Sequence, residues 1–162
     1  MYRRILVPID GSHTSARGLE EAIRLAKDQG ARLRLVHVVE EYAVIQSAGL
    51  EVAGPYVSDL IDTLRAEGKK IIAKATAFAN QRGVKADGST FESFSSRSSD
   101  CIIREAKKWR ADLIVMGTHG RRGVNRLVLG SDAEIVVRTS PVPVLLVRSP
   151  ERKAPARRKK TA

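Results

Sequence analysis

The sequence predicts a doubly wound α/β fold: a single domain with a five-stranded parallel sheet in the order 3-2-1-4-5 and helices on both faces. The first observation behind this prediction is that short apolar runs alternate along the chain with longer segments of helical periodicity. The second is that the runs are nearly continuous, as in strands buried on both faces. The third is that Gly-bearing polar segments follow the first and fourth runs.

The first half of the chain predicts two strands and two helices. Residues 4–9 (RILVPI) form the first strand, and the helix after it carries apolar side chains at helical spacing before Gly30 ends it. Those side chains are Leu19, Ala22, Ile23 and Ala26. Residues 33–39 form the second strand, and after an irregular stretch a long helix covers about residues 58–82, with Gly83 as its stop.

The second half predicts three strands and two helices. A short third strand lies between residues 84 and 94, and its weak pattern suits an edge position. Ser98 or Ser99 is expected to cap the next helix, and residues 112–116 form the fourth strand. Ser131 and Glu134 have the spacing of a capping box that opens a helix through Arg138, and residues 143–147 form the fifth strand.

Composition places most of the excess charge in the C-terminal tail. The 162-residue chain has a net charge of +11, but residues 148–162 hold seven Arg or Lys against one Glu, a net +6, which leaves +5 for residues 1–147. We therefore expect a domain over residues 1–148 and a basic, disordered tail over 149–162. The tail lacks the aromatic residues of a dedicated nucleic-acid arm, so its charge alone makes nucleic-acid binding no more than an open alternative.

Cysteine content and hydropathy bear on location. The single cysteine, Cys101, excludes an intrachain disulfide framework, and the sequence has no apolar run long enough for a membrane span and no signal-like segment. A cytoplasmic location without a membrane partner is the expectation. The three scattered histidines give no metal-ligand spacing, so no protein metal site is expected, and His13 and His37 are interpreted as structural.

The glycine-rich segment 117–131 (GTHGRRGVNRLVLGS) predicts a phosphate site. It follows a predicted strand and leads into a predicted helix, an arrangement that offers free backbone N–H groups and the positive end of a helix dipole to an anion. Strand order reverses between strands one and four, so the segment Asp10-Gly11-Ser12 and the glycine-rich segment should meet at one ligand site. The sequence lacks both the GxxxxGK[ST] pattern and a GxGxxG after the first strand, which disfavours P-loop NTPases and dinucleotide-binding dehydrogenases.

Over about residues 2–148 the chain resembles the universal stress protein family, of the class that binds ATP, within the adenine nucleotide alpha hydrolase-like folds. The resemblance rests on the PIDGS segment at residues 8–12, the LVHVV second strand, the MGTHG segment at 116–120 followed nine residues later by Gly130-Ser131, and the closing PVPVLLV at 141–147.

The resemblance implies a role for each matching position. Asp10 would contact the nucleoside, although a loop cap is its alternative role, and the backbone of Val38 would contact the adenine edge. Pro8, Ile9 and Met116 would line the base and sugar pocket. The phosphates would bind Gly117, Gly120, Gly130 and Ser131, with turn structure as the alternative for the glycines.

Three further positions keep two interpretations each. His119 either donates to a phosphate or lies free on a surface loop, and Arg121 or Arg122 either adds potential at the phosphates or forms a solvated face. Asp132 either helps hold Mg²⁺ against the phosphates or complements the helix macrodipole, and the second interpretation is favoured.

The resemblance implies a homodimeric, ATP-binding stress-response regulator that acts as a nucleotide-dependent switch, with Mg²⁺ held mainly by the phosphates. AMP or ADP remains open as the resident ligand. Dimerisation would use the last strand, residues 142–147, which as an apolar sheet edge needs cover. No catalytic base is apparent, so ATP hydrolysis is expected to be slow or incidental. The alternatives are a nucleotide-free interaction protein of the same fold and a weak ATPase.

Overall fold

The sheet has five parallel strands in the order β3-β2-β1-β4-β5, as the sequence predicts. The computed structural model describes residues 1–41, 55–93, 97–118 and 129–148. The strands are β1 (Arg4–Pro8), β2 (Arg32–Glu40), β3 (Ala86–Ser93), β4 (Leu113–Gly117) and β5 (Val144–Val147). The helices are α1 (His13–Gln29), α2 (Pro55–Gln81), α3 (Ser98–Trp109) and α4 (Ser131–Thr139).

Alternate side chains of the inner strands enter two separate apolar cores, one on each face of the sheet. Ile5 and Val7 of β1 pack with α1 and α2, whereas Leu6, between them, packs with α3 and α4. All three side chains are fully buried. A strand covered on both faces needs apolar residues at every position, which is why these runs do not alternate with polar residues.

Two of the predicted helix ends are confirmed. Gly30 has a left-handed φ of 66° and ends α1, where its N–H donates to the carbonyl oxygen of Ala26. Gly83 follows the end of α2, and its N–H donates to the carbonyl oxygen of Asn80 at 2.9 Å. The predicted third strand also lies at the edge of the sheet, as expected from its weak apolar pattern.

Two predicted helix starts are wrong by one or two residues. The residue that caps α3 is Arg97, whose backbone N–H donates to the carboxylate of Asp100 at 3.2 Å, while Ser99 is buried inside the helix. The cap of α4 is Gly130, so Ser131 is the first helical residue and forms no capping box with Glu134. A side chain can cap only from the residue before the first turn, and each predicted serine already lies within that turn.

Candidate functional site

The carboxyl ends of β1 and β4 form the switch point, because the chain runs outward from β1 in both directions across the sheet. Ile5 pairs with Leu113 and Leu6 with Ile114. The same register continued along both strands brings Ile9 beside Gly117. The two polar segments that the sequence singles out therefore leave the sheet side by side.

The segment after β1 forms a turn that leads directly into α1. The Ser12 N–H donates to Oδ1 of Asp10 at 2.9 Å, and the Ser12 side chain accepts from the Ser15 N–H at 3.1 Å as the N-cap of α1. Asp10 thus fills the loop-capping role with one carboxylate oxygen. Its other oxygen, Oδ2, has no hydrogen-bond partner among the described residues, which leaves an acceptor beside the N-terminus of α1.

Two backbone hydrogen bonds join the end of β4 to the start of α4 and to the end of β5. The Gly130 N–H donates to the carbonyl oxygen of Thr118 at 2.9 Å, and the Thr118 N–H donates to the carbonyl oxygen of Val147 at 3.0 Å. The start of α4 is therefore held against the ends of β4 and β5. Because α1 and α4 cover opposite faces of the sheet, their N-termini flank the switch point from both sides.

Gly117 and Gly130, predicted together as phosphate ligands, have different surroundings. A Cβ on Gly117 would lie 2.8 Å from Cγ2 of Thr14 and 3.0 Å from the Thr14 backbone, so this glycine lets β4 pass close to the first turn of α1. Gly130 has φ −61° and ψ 145°, a conformation that any residue adopts. Helix–strand packing thus requires a glycine at Gly117, whereas backbone conformation requires none at Gly130.

The predicted base and sugar pocket residues lie on both faces of the sheet. Ile9 belongs to the core beneath α1 and α2, and Met116 and Val38 belong to the core beneath α3 and α4. Ile9 and Met116 are buried, while Val38 and Pro8 are partly exposed. The structure brings Pro8, Asp10, Gly117, Gly130, Ser131 and Asp132 to the carboxyl edge.

Part of the predicted site lies outside the described residues. His119, Gly120, Arg121 and Arg122 fall within residues 119–128, between Thr118 and Leu129, and the tail prediction falls within residues 149–162. Of the predicted phosphate ligands, the described ones are Gly117, Gly130 and Ser131. Ser131 is exposed at the start of α4, and Asp132 lies in its first turn, where a carboxylate complements the macrodipole.

A buried histidine supports the Asp10 turn, and sequence reasoning did not find this role. Nδ1 of His37 lies 2.7 Å from the carbonyl oxygen of Ile9, so Nδ1 carries the proton and donates. The Ile9 N–H donates to the carbonyl oxygen of Val36 at 2.7 Å. Both hydrogen bonds fix the peptide that precedes Asp10. The position of His37 within an apolar strand could have indicated this role, because a buried imidazole needs a polar partner.

An ion pair joins α2 to the carboxyl end of β2 near this site. Arg65 Nε lies 2.7 Å from Oε1 of Glu41, which is fully buried, and Arg65 also contacts Glu92 at 3.1 Å. The hydrogen bond to Glu41 raises the pKa of Arg65 above its ordinary value. Arg65 therefore stays cationic throughout the physiological pH range.

Two classes of site are not found in the described part of the chain. Residues 1–41, 55–93, 97–118 and 129–148 contain no group of three or more His, Cys, Asp or Glu placed to hold a metal ion. Among the helices of the same residues, none is both long and apolar enough to cross a membrane.

The strand order and the helices on both faces define a doubly wound α/β protein. The model of the universal stress protein family matches residues 1–148, and the chain belongs to that family. It is 35% identical to universal stress protein MJ0531 of Methanocaldococcus jannaschii over 154 residues, 94% of this chain and 85% of that one. It is also 35% identical to universal stress protein YxiE of Bacillus subtilis, over 91% of this chain and all of that one.

Solved structures show the same fold. A universal stress protein family member from Burkholderia pseudomallei superposes with a TM-score of 0.74 at 33% identity, over 91% of this chain and 97% of that one. A universal stress protein in complex with cAMP has a TM-score of 0.65 at 22% identity, covering 91% and 97%. The Archaeoglobus fulgidus universal stress protein in complex with dAMP has a TM-score of 0.63 at 21% identity, covering 90% and 98%.

Proposed function

We propose that this protein binds ATP at the switch point between β1 and β4 and acts as a nucleotide-dependent switch in a stress response. The observation that carries the proposal is the hydrogen bond from the Gly130 N–H to Thr118, because it holds the N-terminus of α4 beside the strand ends that also bear Asp10. A carboxylate acceptor and two helix N-termini at one edge match a ribose and a chain of phosphates.

The family supports an adenine nucleotide as the ligand. Two members with the same fold were solved with cAMP and with dAMP, which share an adenine base and a phosphate. ATP is the proposed resident nucleotide, with AMP and ADP as alternatives, and Mg²⁺ would be held mainly by the phosphates. His119, Gly120 and Arg121 would complete the phosphate site from the segment between Thr118 and Leu129.

The roles of the described residues follow from their positions. Oδ2 of Asp10 would accept hydrogen bonds from the ribose hydroxyls while Oδ1 keeps the turn. The backbone of Val38, with Pro8, Ile9 and Met116, would enclose the base and sugar. Gly117, Gly130 and Ser131 would lie against the phosphates; because the Gly130 N–H donates to Thr118, the donors beside Gly130 would be the Ser131 hydroxyl and the N–H groups of the first turn of α4. Asp132 would remain a helix-dipole residue rather than a magnesium ligand.

Slow turnover is part of the proposal. The sequence offers no apparent catalytic base, and without a positioned water hydrolysis gains little beyond the electrostatic effect of the phosphate contacts. The binding and release of ATP, rather than its hydrolysis, would then switch the protein between its states. Weak ATP hydrolysis is the alternative function of the same site.

A homodimer is proposed through the last strand and its flanks. Leu145 of β5 is 38% exposed and Val137 of α4 is 45% exposed, while β5 lies at an edge of the sheet. An uncovered strand edge with exposed apolar side chains favours pairing with a second copy. Residues 142–147 would form the centre of this interface.

We also propose a cytoplasmic location for the protein.

The test combines identification of the bound nucleotide with a substitution of Gly130. Protein purified without added nucleotide is denatured, released nucleotides are identified by chromatography, and ATP affinity is measured by calorimetry. Gly130→Val should weaken ATP binding by about 100-fold or more by blocking backbone approach to the phosphates, a loss of about 2.7 kcal/mol. The protein should remain folded and lose only about 1 kcal/mol for the disfavoured cap of α4, because the φ and ψ of Gly130 suit any residue.

Asp10→Asn gives an independent variant at the other half of the site. Its amide oxygen still accepts from the Ser12 N–H, but an NH₂ group replaces the free acceptor, so ATP affinity should fall with little loss of stability. The proposal fails if no adenine nucleotide is released and wild-type protein does not bind millimolar ATP. A Gly130→Val protein that unfolds would instead assign that glycine a structural role.

A further inference from the structure

A basic surface lies at the amino edge of the sheet, opposite the edge proposed to bind nucleotide. Its cations come from the starts of three neighbouring strands and from the end of α3, and we name it the amino-edge patch. They are Arg4, Arg32, Arg34, Lys85, Lys108 and Arg110.

Backbone pairing places these residues next to one another. Arg4 pairs with Arg32 across β1 and β2, and the Leu33 N–H donates to the carbonyl oxygen of Lys85 at 2.9 Å. The Asp112 N–H donates to the carbonyl oxygen of Arg4 at 2.9 Å, which brings the end of α3 to the same edge. Parallel strands lie about 4.8 Å apart, so the row from β3 to β1 spans about 10 Å.

The strand cations point to the face that α3 covers. Arg34 forms ion pairs with Glu105 of α3 at 3.1 Å and with Asp87 of β3 at 3.0 Å, which fixes the face to which Arg34 and Asp87 belong. Side chains two residues apart on a strand share a face, so Arg32 and Lys85 lie on it too. Arg4 shares the face of Leu6, which packs in the core beneath α3.

Trp109, the single tryptophan of the chain, lies within the patch. The guanidinium carbons of Arg32 and Arg34 lie 5.4 Å and 5.8 Å from the centre of its ring. Cation–π contacts of this kind hold an arginine side chain in place without neutralising its charge. Arg34 is neutralised by its two carboxylates, whereas Arg32 keeps its full charge on a positioned side chain.

The patch is strongly positive. The acidic residues that share this edge are Asp87 and Glu105, both paired with Arg34, and Asp112, which accepts from the backbone N–H groups of Arg3 and Arg4. Within the described ranges, no carboxylate forms an ion pair with Arg4, Arg32, Lys85, Lys108 or Arg110. The six cations and these three carboxylates give the patch a net charge of +3, and Arg32, Lys85, Lys108 and Arg110 are exposed to solvent.

We infer that the amino-edge patch binds the phosphate backbone of a single-stranded nucleic acid. A row of cations about 10 Å long matches several consecutive phosphates, and arginine forks bind phosphate oxygens bidentately. Trp109 is partly exposed, and an unpaired base can stack on its ring when Arg32 moves from the ring to a phosphate. The large hydrophobic side chains exposed among the described residues are Met1, Leu60, Val137 and Leu145; none belongs to the patch, which disfavours membrane insertion.

This inference does not rest on the proposed ATP site, which lies at the opposite edge of the sheet. It is also distinct from nucleic-acid binding by the basic tail, because β5 ends at the carboxyl edge and the tail follows it. The two basic regions therefore leave the sheet at opposite ends and are separable by substitution.

The test uses the full chain, a fluorescein-labelled 20-nucleotide RNA of mixed sequence and anisotropy titrations at several salt concentrations. The patch variant carries Arg32→Gln, Lys85→Gln, Lys108→Gln and Arg110→Gln. A charge-matched control carries Lys27→Gln, Lys69→Gln, Lys70→Gln and Lys74→Gln on the helices of the other face. A third protein has four tail cations replaced, by Arg157→Gln, Arg158→Gln, Lys159→Gln and Lys160→Gln.

The patch variant should lose at least tenfold in RNA affinity at 100 mM salt, while the charge-matched control stays within about threefold of wild type. The slope of log K against log salt should fall by up to about 3 in the patch variant, because each single-strand phosphate contact contributes about 0.7. RNA should also change the fluorescence of Trp109 in the wild type and in the tail variant.

Four outcomes would overturn the inference. They are no RNA binding by the wild-type chain at 50 mM salt, equal losses in the patch variant and the charge-matched control, loss of binding confined to the tail variant, and unchanged Trp109 fluorescence at saturating RNA. Vesicles of phosphatidylserine and phosphatidylcholine serve as a comparison. Patch-dependent binding to the vesicles without patch-dependent binding to RNA would assign the surface to lipid instead.

Discussion

At the scale of single residues, two glycines of the candidate site have different structural roles. Gly117 and Gly130 both belong to the glycine pattern that predicts a phosphate site, yet Gly117 is surrounded closely enough to forbid a side chain, whereas Gly130 has a backbone conformation that any residue adopts. The two atoms nearest to a Cβ on Gly117 include the backbone of Thr14, which cannot move without shifting the start of α1. A glycine motif in the sequence therefore mixes packing and ligand positions.

We predict that Gly117→Ala lowers the free energy of unfolding by about 1–3 kcal/mol, because the added methyl group overpacks the contact between β4 and α1. Gly130→Ser is the matched control and should change stability by less than about 0.5 kcal/mol, because serine is also favoured at the N-cap of a helix. Urea denaturation followed by circular dichroism measures both. Equal stabilities of the two variants would contradict the packing role of Gly117.

At the scale of elements, a glycine and a histidine set the distance between α2 and β2. A Cβ on Gly68 of α2 would lie 2.7 Å from Cδ2 and 3.0 Å from Nε2 of His37, so the helix approaches the imidazole at a position without a side chain. His37 in turn donates to the carbonyl oxygen of Ile9. The packing of α2 and the turn at Asp10 thus share one side chain.

A double-mutant cycle tests this contact. Gly68→Ala should destabilise the wild-type protein, even though alanine is favoured over glycine in a helix by about 1 kcal/mol. In a His37→Ala background the clash is gone, and Gly68→Ala should become stabilising by up to about 1 kcal/mol. Thermal and urea unfolding of the four proteins give the coupling energy. The same sign of effect in both backgrounds would rule out a packing contact between these residues.

At the scale of the whole molecule, the two edges of the sheet have different properties. The carboxyl edge carries the turn at Asp10 and the start of α4, whereas the amino edge carries the amino-edge patch. At the sides, β3 is an edge strand of mainly small and polar residues, whereas β5 exposes Leu145. The proposed nucleotide, polyanion and second copy would therefore use different parts of the sheet.

The proposed dimer gives a prediction at this scale. Leu145→Lys should convert a dimer to a monomer at tens of micromolar, because a lysine on an edge strand opposes pairing. Leu60→Lys is the matched control, since Leu60 is 47% exposed on α2 and lies away from β5. Sedimentation velocity separates the two states. A wild-type monomer at this concentration, or a Leu145→Lys dimer, would contradict the proposal.

Much of the fold follows from local patterns in the sequence. The apolar runs predict β1, β2 and β4 because these strands are covered on both faces, and Gly30 predicts the end of α1 because few other residues adopt its φ. Helix starts were less predictable. Ser98, Ser99 and Ser131 all resemble caps in sequence, but the backbone places each of them inside the first turn. Cap position depends on where packing begins the helix, which residue type does not specify.

The sequence by itself determined the fold class and the family, because periodicity, glycine spacing and the PIDGS and MGTHG segments are local properties of the chain, and the strand order followed from the resemblance to the family. Only the tertiary structure decided which residues meet: Thr118 with Gly130, His37 with Ile9, and the scattered cations of three strands with Trp109. These contacts join residues distant in sequence, so they exist only once the sheet has set its register and its helices have packed.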